Sequence, residues 1–413
     1  MRRVVITGLG CVSPLGCGIE KNLSALKNGV SGIRKIDRFD TSDLSVKIAG
    51  QIPMGKNDGD LDLDTVASPK EQRHYDNVAL YAFAAAKQAI DDCGFIPQTE
   101  DEKNAFGVYF GSGQGGVKSF CDGIITVEQR GPSRISPFFI PSIMINQAAG
   151  LLSIKYGLQG PNIAVSTACA TGTHAVGEAY RLIKEGRADM MLAGSSEAPI
   201  LKPAVAGFGQ LRALSTRADE PEKASRPWDK NRDGFIISEG AGALILEEYN
   251  HAVARGAKIY AEVAGYGITG DAYHITAPGG TGALRAMKMA LKDADMQPKD
   301  IDYINAHGTS TPTGDIMELK AVKELFDTDI AMSSTKSMTG HMLGASGSVE
   351  AVFSVLAIQN NFVPPTINLE NPEDEAEGMN LVPNVAQEKQ VNAVLSNSFG
   401  FGGTNACLIF KKV

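Results

Sequence analysis

Residues 84 to 97, AAAKQAIDDCGFIP, superpose on residues 286 to 298, AMKMALKDADMQP, with Lys87 on Lys288, Ala89 on Ala290, Ile90 on Leu291, Asp92 on Asp293 and Pro97 on Pro298. A match about 200 residues away lies far beyond any solenoid period and constrains the fold more than any other feature of the sequence. Apolar residues recur at helical spacing in both stretches and a proline follows each, which predicts two amphipathic helices. After each helix comes a strand closing on a glycine turn, AFGVYFGSGQGG and IDYINAHGTSTPTG. A short strand, a small-residue turn and a long helix are next, NIAVSTACATGTHAVGEAYRLIKEG and IAMSSTKSMTGHMLGASGSVEAVFSVLAIQ, and a last strand closes each half, ADMMLAGSSEA and NAVLSNSFGFGG. On this alignment Cys169 falls where Lys336 falls.

Strands alternating with helices predict an α/β fold with mainly parallel sheets, and a duplication predicts two such units with pseudo-twofold symmetry and a shared centre of strand ends. The glycine-, proline- and charge-bearing segment 199 to 239 predicts irregular structure on the surface. The strand AGALILEEY, the helix HAVARGA and the strand IYAEVAGYGI then lead into the second half, dividing the chain into residues 1–250 and 251–413. With 413 residues, 43% hydrophobic and 21% charged, the chain suffices for two cores. A net charge of -8 argues against general nucleic-acid binding. No run of 18 apolar residues or export signal is seen, so neither membrane insertion nor export is expected. Six cysteines without C-x-x-C pairing or zinc-type spacing suggest a reduced, cytoplasmic setting and no metal.

Cys169, at a strand-to-helix turn, is expected to have an acidity raised by the first helix amides, which could also hold an oxyanion. Of six histidines, His74 reads as surface, His251 as a helix start, His274 as loop, and His174, about 140° round the helix from Cys169, as structural. His307 and His341 end up with Lys336 and Cys169 at the shared centre. That set suggests acyl transfer through a thioester, with neutral imidazoles stabilising an enolate and Lys336 lending charge or orienting one histidine. NSFGFGGTNA offers a backbone N–H and a movable ring at Phe401; as a dinucleotide fingerprint it fails.

Together, STACATGTHAVG, NAHGTSTPTGD, SSTKSMTGHMLGASG, PPTINL and NSFGFGGTN resemble the β-ketoacyl-acyl-carrier-protein synthases, and RPWDKNRDGF and SPFFIP the elongating synthase II subtype. The resemblance spans essentially the whole chain. It implies a thiolase-like five-layered αβαβα fold of two duplicated halves, a homodimer, acyl carrier protein as partner, and no cofactor beyond the carrier's phosphopantetheine arm. It implies Cys169 as acyl acceptor, His307 and His341 as the pair that decarboxylates malonyl thioester, and Lys336 in support. The amides of Cys169 and Phe401 would form the oxyanion hole, with Phe401 gating beside Gly400. Thr309 and Thr311 match pantetheine-binding positions, and Phe208 a channel aromatic. Lys70, Arg73, Arg134 and Arg212 match carrier-docking positions. Three residues depart from the pattern: Gln114 replaces an apolar residue at the acyl-pocket floor, Ala277 a serine near the pantetheine, and Ser133 a basic residue. A thiolase would need a second reactive cysteine, and Cys407 reads as structural; a chain-length factor would lack Cys169. A polyketide ketosynthase is the closest rival reading.

Overall fold

The computed structural model describes residues 2–413, and ten strands run in file across its main sheet. In chain order these are β1 (Val4–Ser13), β2 (Phe106–Gly111), β3 (Asn162–Ile163), β4 (Met190–Glu197), β5 (Gly240–Glu248), β6 (Ala261–Gly270), β7 (Tyr303–Asn305), β8 (Ala331–Ser333), β9 (Ala393–Gly400) and β10 (Thr404–Lys411). Their spatial order is β8-β7-β9-β10-β6-β1-β5-β4-β2-β3, with the two-residue strand Gly16–Cys17 paired to β1. Read outward from the middle, β1-β5-β4-β2-β3 and β6-β10-β9-β7-β8 have the same order. The duplication seen in the sequence is therefore a duplication of topology.

The sheet is mixed rather than mainly parallel. β2 pairs in parallel with β3 and β4, and β7 with β8 and β9. The remaining pairs are antiparallel, because in each half one strand, β5 or β10, runs against the other four, and the halves meet antiparallel at β1 and β6. In the second half β9 turns straight into β10, whereas in the first the link from β4 to β5 is residues 198–239. That link is not confined to the surface. It carries the helix Lys202–Gln210 and buries Trp228, Arg226, Asp229 and Arg232. Its charges are buried because they are paired: Arg232 contacts Asp315 and Glu373, and Arg226 contacts Asp229.

β1 and β6 meet antiparallel over Val4 with Val263, Val5 with Glu262 and Ile6 with Ala261, which seals the two half-sheets together. Helices α1 (Asn77–Cys93) and α2 (Gln147–Tyr156) cover one outer face. On the other side lie α4 (Gly282–Ala294) and α5 (Pro312–Leu325). Between the half-sheets α3 (Thr171–Lys184) packs on α6 (Ser346–Asn360), completing the expected αβαβα layers. α6 is buried from Ser346 to Ile358, its apolar residues spread round the helix and its one acid, Glu350, paired with Lys336. Glycine makes the close approach of these helices possible. A Cβ on Gly347 would stand 2.6 Å from the Thr173 amide nitrogen, and one on Gly172 would meet the Ser348 amide. The shared core joins Val176, Ala179 and Ile183 of α3 to Val349, Val352 and Phe353 of α6.

Candidate active site

β3 ends at Ile163, and the chain makes a 3-10 turn, Ala168–Ala170, before α3 begins. Ala168 has φ 48, a conformation costly for a residue with a Cβ. Two bonds fix the turn: Thr171 Oγ1 donates to the Ala168 carbonyl at 2.8 Å and accepts from the Thr167 N–H at 2.9 Å. Cys169 is thereby presented to a cleft of about 600 Å³. Gly400 closes on it from β9, where a Cβ would sit 3.2 Å from the amide nitrogens of both Cys169 and Ala170. Glycine at that point leaves the Cys169 amide open to a ligand, while the Ala170 N–H donates to the Thr167 carbonyl at 3.1 Å.

The second half repeats the elbow. Leu343 has φ 46, the 3-10 turn is Leu343–Ala345, and α6 follows. Cross-links between the halves confirm the register, since Thr173 of the first bonds Ser398 of the second at 2.6 Å, and Ser348 of the second bonds Ser195 of the first at 2.7 Å. The counterpart of Cys169 is thus Gly344, and CATG matches GASG. Alignment with Lys336 was wrong because the second half carries an extra turn, Lys336–Thr339, between β8 and its elbow.

His307 follows β7, where Glu318 of α5 accepts the N–H groups of His307 and Gly308 at 2.9 and 2.7 Å and so fixes the backbone. His341 lies before the second elbow, with Nδ1 2.9 Å from Ser346 Oγ and Nε2 buried without a protein partner. In the tautomer where Nδ1 accepts the Ser346 hydroxyl proton, the ring proton of His341 sits on Nε2, ready to be donated. The two imidazoles stand 5.4 Å apart at 88°, His307 against Phe399 and His341 against Phe235. Burial first, and then the charge of Lys336, hold both well below the ordinary histidine range, so both are neutral at physiological pH.

Lys336 is 1% exposed, does not line the cleft and pairs with Glu350, itself 1% exposed. It acts on the histidines through its field. Burial pushes the Glu350 carboxyl up to about 7 against the pull of Lys336.

The acidity of Cys169 departs from the sequence reading. Burial pushes its thiol up to about 11, outweighing the Phe401 amide, Lys336 and its own amide, while Glu197 pushes the same way as burial. Helix amides do favour the thiolate here, but withdrawal from water costs more. The resting centre is a neutral thiol beside two neutral imidazoles.

Gln114, Phe208, Arg212, Thr309, Thr311, Gly400 and Phe401 line the same cleft. Thr309 and Thr311 hydroxyls lie 3.0 Å apart, and the Gln114 side-chain oxygen is buried without a partner. Lys70, Arg73 and Arg134 lie outside the cleft; with Arg212 they are exposed and form no ion pair among the described residues. His174 is held by Thr167 and the Ala170 carbonyl, His74 stacks on Phe138, and His251 bonds Glu247. Cys407 is buried and donates to Asn397 at 3.1 Å. Sequence reasoning passed over Glu197, Glu318, Ser346 and Glu350, whereas Ala277, expected near the pantetheine, lines the cleft with its neighbours in 275–280. An acidic residue inside an otherwise small or apolar run, as in GSSEA and GSVEAV, was the available signal for Glu197 and Glu350. Among the described residues no cluster of three or more His, Cys, Asp or Glu side chains is arranged to hold a metal.

Residues 1–252 match the family described as Beta-ketoacyl synthase, N-terminal domain, and residues 260–370 match its C-terminal domain. The chain belongs to the β-ketoacyl synthase family. A 3-oxoacyl-[acyl-carrier-protein] synthase 2 from Rhizobium meliloti (strain 1021) is 54% identical over all of this chain and 99% of its own length. The synthase of the same name from Vibrio harveyi is 49% identical over the same shares. Among solved structures, a β-ketoacyl synthase from Burkholderia phymatum STM815 superposes with a TM-score of 0.91 at 37% identity over the whole of both chains. A ketosynthase in complex with its type II PKS acyl-carrier protein superposes with a TM-score of 0.90 at 34% identity, over all of this chain and 99% of the other.

Proposed function

We propose that this β-ketoacyl synthase is a chain-elongating 3-oxoacyl-[acyl-carrier-protein] synthase of fatty-acid synthesis. Supporting this reading is the single cleft in which Cys169, two neutral histidines and the open amide of Cys169 meet. Acyl carrier protein delivers an acyl thioester. The sulfur of Cys169 bonds to its carbonyl carbon, the carbonyl oxygen rests on the amides of Cys169 and Phe401, and the carrier's thiol departs with the proton Cys169 gives up. Malonyl carrier then loses carbon dioxide. The electron pair of the broken C–C bond becomes an enolate, whose oxygen accepts hydrogen bonds from His307 and His341. Its carbon attacks the acyl-Cys carbonyl, Cys169 leaves as a thiolate that takes one proton from solvent, and 3-oxoacyl carrier departs.

Neutral imidazoles suit this role, since they donate hydrogen bonds without protonating the carbanion outright. Thr309 and Thr311 hold the pantetheine arm, Phe208 walls its channel, and Phe401, flanked by Gly400 and Gly402 with φ 87, swings to admit malonyl. Lys70, Arg73, Arg134 and Arg212 receive the acidic carrier, which the neighbour solved with its own carrier supports by analogy. A second copy of this chain covers the exposed Phe120, Ile124, Ile125, Ile140 and Ile154 beside the edge strand β3. The enzyme works in the cytoplasm without a cofactor. The buried, unpartnered Gln114 oxygen makes a polyketide ketosynthase the second reading, for it favours short or oxygenated chains over long saturated ones. Carbon dioxide release from malonyl carrier tests the histidine roles: His307→Ala and His341→Ala each lower it by about 100-fold or more, and wild-type release from both variants refutes them.

A further inference from the structure

We infer that Glu197 is a positioning residue of this centre, its carboxylate filling at the second elbow the niche that stays open for a substrate oxygen at the first. The inference rests on the proposed role of the Cys169 amide as an oxyanion donor. Glu197 is the last residue of β4 and 0% exposed. Its Oε1 accepts Ser112 Oγ–H at 2.9 Å and the Gln114 N–H at 3.1 Å, and its Oε2 accepts the Gly113 N–H at 2.8 Å and the Gly344 N–H at 3.0 Å. No cation pairs with it among the described residues. A buried carboxylate without a cation survives only where fixed dipoles replace water, and four donors converge here.

The pseudo-twofold gives this arrangement its meaning. Ser195 bonds Ser348 as Ser398 bonds Thr173, so the residues two further along, Glu197 and Gly400, are counterparts. Both end their strands beside an elbow amide. At the second elbow a carboxylate oxygen occupies the Gly344 N–H. At the first, Gly400 has no side chain and the Cys169 N–H stays free. One elbow of the duplicated pair is open to substrate, and the other is filled by the protein's own carboxyl group, which burial pushes up to about 7 against its four donors, so that it is an anion above that pH. Glu197 therefore ties the Gly344 amide to Gly113 and Gln114, which with Leu343 line one wall of the cleft, and when ionised it opposes the Cys169 thiolate.

Two variants test this, Glu197→Gln and Glu197→Gly, each checked for a cooperative melt. Alkylation of Cys169 by iodoacetamide, mapped by peptide mass against pH, reads the charge without requiring any condensation. Glu197→Gln is expected to alkylate at least about threefold faster at about pH 8, because a lost negative charge shifts the thiol downward. Glu197→Gly is expected to lose condensation and to regain it with added formate, which refills the niche, and not with chloride. An alkylation profile superimposable on wild type, or a folded Glu197→Gly that formate does not restore, overturns the inference. Should Glu197→Gly fail to fold, the alkylation profile of Glu197→Gln decides alone. A shifted profile in an enzyme that transfers no acyl group would leave the positioning role standing and refute the condensing reading instead.

Discussion

Lys336 shows how a residue outside the cleft sets the chemistry inside it. It is buried against Glu350 and lowers the proton affinity of both histidines. Lys336→Ala leaves Glu350 as an unpaired buried acid and costs about 3–5 kcal/mol in a denaturant titration. The same change relieves the electrostatic lowering of His307 and His341, so their pKa values rise. The acid limb of the decarboxylation profile then moves to higher pH in Lys336→Met, and an unmoved limb would assign Lys336 to structure alone. Gln114 poses a different question, because its side-chain oxygen is buried in the cleft wall without a partner. Gln114→Ile removes that unsatisfied group, and the longest chain accepted from a series of acyl carriers is expected to lengthen. An unchanged profile counts against a specificity role.

Helix and strand identities were largely legible, because each carries a period or a punctuation that its neighbours lack. The matched helices at 84–97 and 286–298 lie within α1 and α4, although both end before the prolines, on Gly94 and Asp295 in left-handed conformation. What the sequence hid was the alignment of the elbows. Cys169 and Lys336 both follow short strands in small-residue strings, and only the φ values of Ala168 and Leu343, with the serine and threonine cross-links, show that Gly344 is the true counterpart. The buried parts of 199–239 were hidden for a similar reason, since Arg232 looks like surface until its partners Asp315 and Glu373 are brought beside it. Close packing of α3 on α6 gives a prediction at this scale. Gly347→Ala forces a Cβ to 2.6 Å from the Thr173 amide nitrogen, and a loss of about 1–3 kcal/mol should appear in thermal unfolding. A neutral outcome would mean that the central helices separate freely.

Across the whole molecule, neither half holds a complete site. Cys169 comes from the first, His307, His341 and Phe401 from the second, and the Cys169 amide is available only because β9 ends in a glycine beside α3. That division explains why the chemistry could be anticipated from sequence while its supports could not. Cys169, His307 and His341 stand at strand ends and announce themselves, whereas Glu197 matters through its contact across the pseudo-twofold with Gly344, and Ser346 and Glu350 through their contacts with His341 and Lys336. The most direct measurement is intact-protein mass spectrometry after mixing with acyl carrier protein and then with malonyl carrier protein. The wild type is expected to gain one acyl group on Cys169 and to discharge it on the second addition; His307→Ala and His341→Ala gain it and keep it. An acyl adduct on Cys169→Ala, or prompt discharge by both histidine variants, would contradict the account.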